Sequence, residues 1–258
     1  MSGDADMRIQ ILKSSTTDPQ GHFSASYLVN DRIVIDAGSI GFSALAVQRQ
    51  IRHVILSHSH FDHICSLPIL LDNIYEPGPD CVNVYASSQT IDCLQRHVFN
   101  DDIWPDLLRL SSEESPFVNF VTLHDGEPVQ FEDLTVTPVA LNHLIPTYGF
   151  VLEDSQAAVA LISDTAATDA IWELARNNEK LKAVFLECAF PNSLNWLAEK
   201  ARHLTADSFL QEYRKLDRDI PVIAIHIKPA FHEQVVTELQ GLGIPTLIIG
   251  KPQQELTF

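Results

Sequence analysis

The sequence predicts an α/β (α+β) protein, two β-sheets packed together with helices on the outside, folded as one domain over residues 1–258. Three observations carry this. Each half of the chain opens on short β-branched runs with an antiparallel look. Each half then alternates apolar strand-like runs with helical stretches. No repeat, low-complexity tract or Gly/Ser-rich linker separates the halves.

In order, "RIQIL", "SASYLV" and "RIVIDAG" read as strands, the second and third joined at Asn30-Asp31, a pair suited to a tight hairpin turn. "HVILSH" is a further strand that runs into a group of histidines. Ser66 to Asn73 reads as a helix behind that group, Val82 to Ala86 as a strand and Ser88 to Phe99 as a helix. The second half repeats the style with strands "FVNFVTL", "LTVTPVAL", "YGFVLE" and "AAVALISD". "ATDAIWELARNN" then places Ala170, Ile171, Leu174 and Ala175 on one helical face. "AVFLE" is a strand, "SLNWLAEKA" a helix, and "TADSFLQEYRKL" a helix with Thr205 as its N-cap. "VIAIH", a helix from Phe231 to Leu239 and "TLIIG" complete the chain.

Composition narrows the function. The 258 residues are 45% hydrophobic, enough for a proper core, and carry a net charge of −17. Such a surface repels a polyanion, so no nucleic-acid polymer is expected as partner. No stretch approaches the roughly 18 apolar residues of a membrane span, no basic amphipathic helix suggests membrane attachment, and the N-terminus lacks a secretion pattern. Cys65, Cys81, Cys93 and Cys188 form no Cys-x-x-Cys spacing and read as reduced cysteines of a cytoplasmic protein.

The chemistry is concentrated in "LSHSHFDHIC", with three histidines and an aspartate in six positions. A His-x-His-x-Asp-His string arises by chance about once in a thousand such chains. Further candidates close other apolar runs: His143 follows "VTPVALN", Asp164 follows "VALIS" and His226 follows "VIAI". Strands of a sheet end side by side, so residues far apart in sequence can converge there. Imidazole and carboxylate suit zinc, iron or manganese. His58, His60, Asp62, His63, His143, Asp164 and His226 are enough ligands for two ions, with Asp164 the natural bridge. His22, His53, His97, His124 and His232 have no such setting and read as ordinary polar residues.

The "HSHFDH" string, followed by a later His, an Asp and a last His at strand ends, resembles the metallo-β-lactamase superfamily. Four further stretches resemble its class II cyclic-nucleotide phosphodiesterases: "HVFNDDIWPDL", "ISDTAATDAIWELARNNEKLKAVFLECAFPN", "RHLTADSF" and "IAIHIKP". The sequence departs from the family pattern at Phe61, Ser163, Ala189 and Ala206, and "KSSTTDPQGHFSASYL" lacks a glycine-rich turn; no departure removes a ligand.

The resemblance implies a four-layer αββα sandwich of two mixed sheets flanked by helices. It implies two divalent ions per chain, zinc first and manganese or iron next. His58, His60 and His143 would hold one, Asp62, His63 and His226 the other, with Asp164 and a hydroxide bridging. It implies hydrolysis of cyclic AMP or cyclic GMP to the nucleoside 5′-monophosphate, with Asp62 and His203 as catalytic residues. Asp36 and Glu187 would orient ligand imidazoles, and Phe190, Asn192 and Tyr148 would border the substrate. Core is the better reading of Trp104. A homodimer is one assembly such a chain could adopt. Two other functions stay open on sequence: a tRNase Z-like RNA 3′-end endonuclease, and a non-catalytic metal-binding module.

Overall fold

The computed structural model describes residues 6–14 and 24–258. Among them the strands form two seven-stranded sheets, and each sheet is the centre of one compact unit. The first unit is Arg8–Leu123 with Pro252–Leu256; the second is built on His124–Lys251.

The first unit contains β1 (Arg8–Ile11), β2 (Tyr27–Val29), β3 (Ile33–Ile35), α1 (Leu45–Gln48), β4 (His53–Ile55), α2 (Phe61–Ile64), α3 (Leu67–Ile74), β5 (Val82–Ala86), α4 (Ser88–His97), α5 (Leu107–Leu110) and β6 (Val118–Thr122). Strands β1 to β3 pair antiparallel, and β3 to β6 run parallel. The β2–β3 turn is the one expected: Asn30 and Asp31 both take positive φ (47° and 62°), and the Arg32 N–H returns to the Val29 carbonyl at 3.2 Å. Alternation sets the core. Val82, Val84 and Ala86 of β5 turn one way, onto Leu67, Leu70 and Leu71 of α3 and Ile91 and Leu94 of α4.

The second unit contains β7 (Val129–Phe131), β8 (Leu134–Leu141), β9 (Thr147–Glu153), β10 (Ala158–Ile162), α6 (Ala170–Asn177), β11 (Leu181–Glu187), α7 (Asn195–Ala201), α8 (Ala206–Arg214), β12 (Val222–Ile225), α9 (His232–Gln240) and β13 (Leu247–Ile249). Again the early strands β7 to β10 are antiparallel and β10 to β13 parallel. Strands β10, β11 and β12 are buried on both faces, which is why they read as unbroken apolar runs rather than alternating ones. Thr205 caps α8 as expected, in a capping box closed by Ser208. The two mixed sheets with flanking helices that the sequence predicts are therefore present.

Three details differ from the sequence reading. Leu174 is exposed, and α6 instead buries Ile171, Trp172 and Ala175. The reason is polar: the Trp172 indole N–H donates to Glu212 at 2.8 Å, and that buried carboxylate also takes the Thr168 N–H and Lys215. Short pieces went unread, among them β7, α1, α2 and α5. The last strand, β14 (Glu255–Thr257), returns to the first sheet at the β1 edge. The glycine-poor stretch after Lys13 falls largely on residues 15–23, outside the described ones, as does His22.

Candidate metal centre

In the first unit, β4 delivers its chain to the histidine string. Past the strand, the Leu56 N–H is held by the Tyr85 carbonyl at 2.8 Å, and His60 then caps the short helix α2 in extended conformation. The loop from Asp36 to Gly38 supports α2 from below. The Ala37 N–H donates to the His63 carbonyl at 2.7 Å, and a Cβ on Gly38 would run into the Asp62 carbonyl oxygen. Since backbone cannot yield as a side chain does, Gly38→Ala is expected to cost about 1–3 kcal/mol of stability. A thermal melt checks this; an unchanged midpoint would mean that the loop moves aside freely.

Asp36 itself has φ of 59°, an uncommon value for a residue with a side chain. Held there, one carboxylate oxygen accepts the Ser57 N–H at 2.8 Å, while the other accepts the Ser57 hydroxyl at 2.8 Å and lies 2.7 Å from His63 Nδ1. These contacts settle tautomers. His63 carries its proton on Nδ1 and turns Nε2 toward Asp62, 3.9 Å away. Ser57 has given its one hydrogen to Asp36, so at 2.9 Å it accepts from His58 Nδ1–H. His58 Nε2 then faces His60 Nδ1 at 3.0 Å. Two nitrogens on one tetrahedral zinc with ~2.0 Å bonds would lie about 3.3 Å apart, so this spacing suits a shared ion.

In the second unit, β8, β10 and β12 release His143, Asp164 and His226 within two residues of their C-terminal ends. His143 Nδ1 donates to the Arg202 carbonyl at 3.0 Å, and Arg202 Nη1 donates back to the His143 carbonyl at 2.9 Å. His143 Nε2 is thereby aimed at Asp164, 4.0 Å away. His226, at φ of 57°, brings Nε2 within 3.4 Å of the other Asp164 oxygen. His203 approaches the same carboxylate at 3.9 Å, and Asp164, His203 and His226 together form a group able to hold an ion.

Glu187 is fully buried and accepts four donors: the Thr165, Ala189 and Leu204 N–H groups and His203 Nδ1 at 2.8 Å. Burial pushes this carboxyl's pKa up, against the pull of His203. Burial also pulls His203 down, yet the Glu187 charge and hydrogen bond, with help from Asp164, carry it above its ordinary value. With so many donors on the carboxylate, the shared proton stays on the imidazole.

The remaining sequence candidates divide. Phe190 is buried against Ala198, its ring 5.7 Å from that of His203, and so forms a wall beside it. Asn192 is occupied structurally, its side-chain oxygen accepting the Asp207 N–H at the start of α8. Tyr148 lies near the β8–β9 turn and beside Asp125; burial, then that charge, raises its pKa. Trp104 packs on the first unit's core, as expected. His53 contacts Tyr85 at the opposite end of β4 from the string, and His97 and His124 are exposed. Lys228 went unread: its ammonium stands 3.2 Å from His226 Nε2, and only the "KP" after that histidine hinted at it.

Residues 31–227 match the family model of the beta-lactamase superfamily domain. The probable 3′,5′-cyclic-nucleotide phosphodiesterase of Yersinia pestis is 26% identical over 263 aligned residues, covering 91% of this chain and 70% of that protein. The 3′,5′-cyclic-nucleotide phosphodiesterase 1 of Saccharomyces cerevisiae is 28% identical over 226, covering 72% of this chain and 59% of that one, so the chain spans less than two thirds of the yeast relative. The crystal structure of unliganded yeast PDE1 superposes with a TM-score of 0.81 at 20% identity, over 98% of this chain and 100% of that one. The fold is shared, and the resemblance seen in the motifs is met by relatives bearing the phosphodiesterase name.

Proposed function

The chain belongs to the β-lactamase superfamily, and from that premise we propose that it is a metal-dependent phosphodiesterase converting 3′,5′-cyclic nucleotides, cyclic AMP or cyclic GMP, to nucleoside 5′-monophosphates. The observation that carries this reading is the donor set. His58, His63 and His143 each have the outer nitrogen tied down, to Ser57, Asp36 and Arg202, and the inner nitrogen turned toward other imidazole or carboxylate atoms. His58, His60 and His143 would hold one ion and Asp62, His63 and His226 a second, with Asp164 available to both. Bound divalent ions would supply Lewis acidity, lowering the pKa of water and neutralising charge on the phosphate oxygens.

The chain's own residues do the rest. Asp62 orients the attacking water, and Lys228 offers its ammonium to a phosphate oxygen. As water adds to phosphorus and the bond to the 3′ oxygen breaks, His203 gives that oxygen its Nε2 proton, while Glu187 holds the ring in place. Phe190 keeps bulk water from the proton. The Yersinia and yeast relatives named as phosphodiesterases support the substrate class. Against an RNA 3′-end nuclease stands the charge: 17 basic residues against 34 acidic ones give little surface for gripping a tRNA.

Four cysteines outside any disulfide suit a cytoplasmic enzyme, and no helix among the described residues is long and apolar enough to cross a membrane. Elemental analysis is expected to find two divalent ions per chain. Chelation should abolish turnover and lower the melting temperature together, since a ligand at 100 times its Kd stabilises by about 2.7 kcal/mol. Product chromatography should show 5′-monophosphate and no cleavage of precursor tRNA at physiological salt. Accumulating 3′-monophosphate would overturn the leaving group, and efficient tRNA cleavage would overturn the function.

A further inference from the structure

In the second unit, Arg202 closes α7 in the left-handed conformation, at φ of 53° and ψ of 55°. The Arg202 N–H returns to the Glu199 carbonyl at 3.3 Å and the His203 N–H to the Ala198 carbonyl at 2.9 Å. Helices commonly give this closing position to glycine, because a Cβ there crowds the following carbonyl oxygen. An arginine in that place calls for an offsetting contact, and its side chain has two. Nη1 donates to the His143 carbonyl at 2.9 Å and to the Asn142 amide oxygen at 3.2 Å. With its own carbonyl accepting from His143 Nδ1 at 3.0 Å, Arg202 grips that histidine by both its ring and its main chain.

Asn142 extends the grip to Asp164. It is exposed, yet its main chain and its amide are both engaged. The main-chain N–H donates to Thr165 Oγ1 at 3.2 Å, and the carbonyl accepts the Ala166 N–H at 2.8 Å. Its amide nitrogen donates to the Ala167 carbonyl at 2.9 Å, while the amide oxygen takes Arg202. Residues 165–167 are the segment that leaves Asp164. Asn142 therefore joins three places: the end of β8 just before His143, the loop just after Asp164, and the turn just before His203. The sheet does not make this link itself. Strand β9 lies between β8 and β10, so no ladder hydrogen bond sets the end of β8 against the end of β10.

We propose that Asn142 and Arg202 are positioning residues, which hold His143 and Asp164 at the mutual placement a divalent ion requires. The inference rests on the reading of those two residues as metal ligands. Melting of the full chain stripped of metal, and its titration with Zn2+, test it on wild type, Arg202→Ala, Arg202→Gly, Arg202→Lys and Asn142→Ala. Arg202→Ala and Arg202→Gly lose the same side-chain hydrogen bonds, but only alanine keeps a Cβ in the left-handed turn. The glycine variant should therefore melt about 2–4 °C above the alanine variant. Zinc affinity should not follow that order. Both variants, and Asn142→Ala with them, should bind roughly 10–100-fold more weakly than wild type, the scale for losing a group that orients a ligand. Arg202→Lys, which keeps a cationic donor, should recover part of the loss. Arg202→Gly binding zinc as tightly as wild type would make the residue a helix stop only and overturn the proposal, with the ligand reading intact. Wild type that takes up no zinc would overturn both.

Discussion

Asp164→Ala is expected to yield a folded protein without its metal ions and without measurable turnover. Asp164 is 2% exposed, and its two oxygens face His226 at 3.4 Å on one side and His143 and His203 at 4.0 and 3.9 Å on the other. Removing it deletes one of the two carboxylates of the proposed donor set and leaves Asp62 as its one remaining anionic donor. The fall in kcat/KM should exceed the roughly 10–100-fold typical of losing an outer partner of a metal site. Asp164→Asn, which retains one oxygen, should keep part of the metal. Elemental analysis reads both variants directly, and full retention of two ions by Asp164→Ala would end its role as the bridge.

His203→Ala should behave in the opposite way: both ions stay, the fold stays, and the rate on a cyclic nucleotide drops by about 100-fold or more, as for loss of a general acid. The test is a sharp one because His203 lies as close to Asp164 as His143 does. What sets it apart is its raised pKa and the Glu187 carboxylate behind it, which keep a proton available. An aryl phosphodiester such as bis-p-nitrophenyl phosphate, whose leaving group departs without a proton, should lose far less rate in the same variant. Equal losses on both substrates would make His203 a structural residue, and loss of metal would make it a ligand.

How much of this was legible beforehand depends on what each residue answers to. Strands β5 and β8 match the apolar runs residue for residue, because burial of a strand is written as local alternation or an unbroken apolar stretch. The Asn30-Asp31 turn and the Thr205 cap were equally plain, since φ preference and capping act within a few residues. The candidate ligands were visible because a strand end announces itself and imidazole has few reasons to recur there.

Other features needed the folded chain. Trp172 rather than Leu174 faces inward because its N–H finds Glu212, 40 residues on. Arg202 acts on His143 through a backbone carbonyl, which no choice of side chain reveals. Asn192 looks like a binding amide in sequence but is held at the start of α8, and Lys228 reaches the site only because β12 ends where it does. The sequence by itself determined the two sheets, the donor types and their places at strand ends, since these follow from short-range periodicity and from the chemistry of single side chains. Only the tertiary structure decided which nitrogen of each imidazole is turned inward and which carboxylate holds it, because a hydrogen bond or a charge contact depends on distance in space, and distance along the chain does not report it.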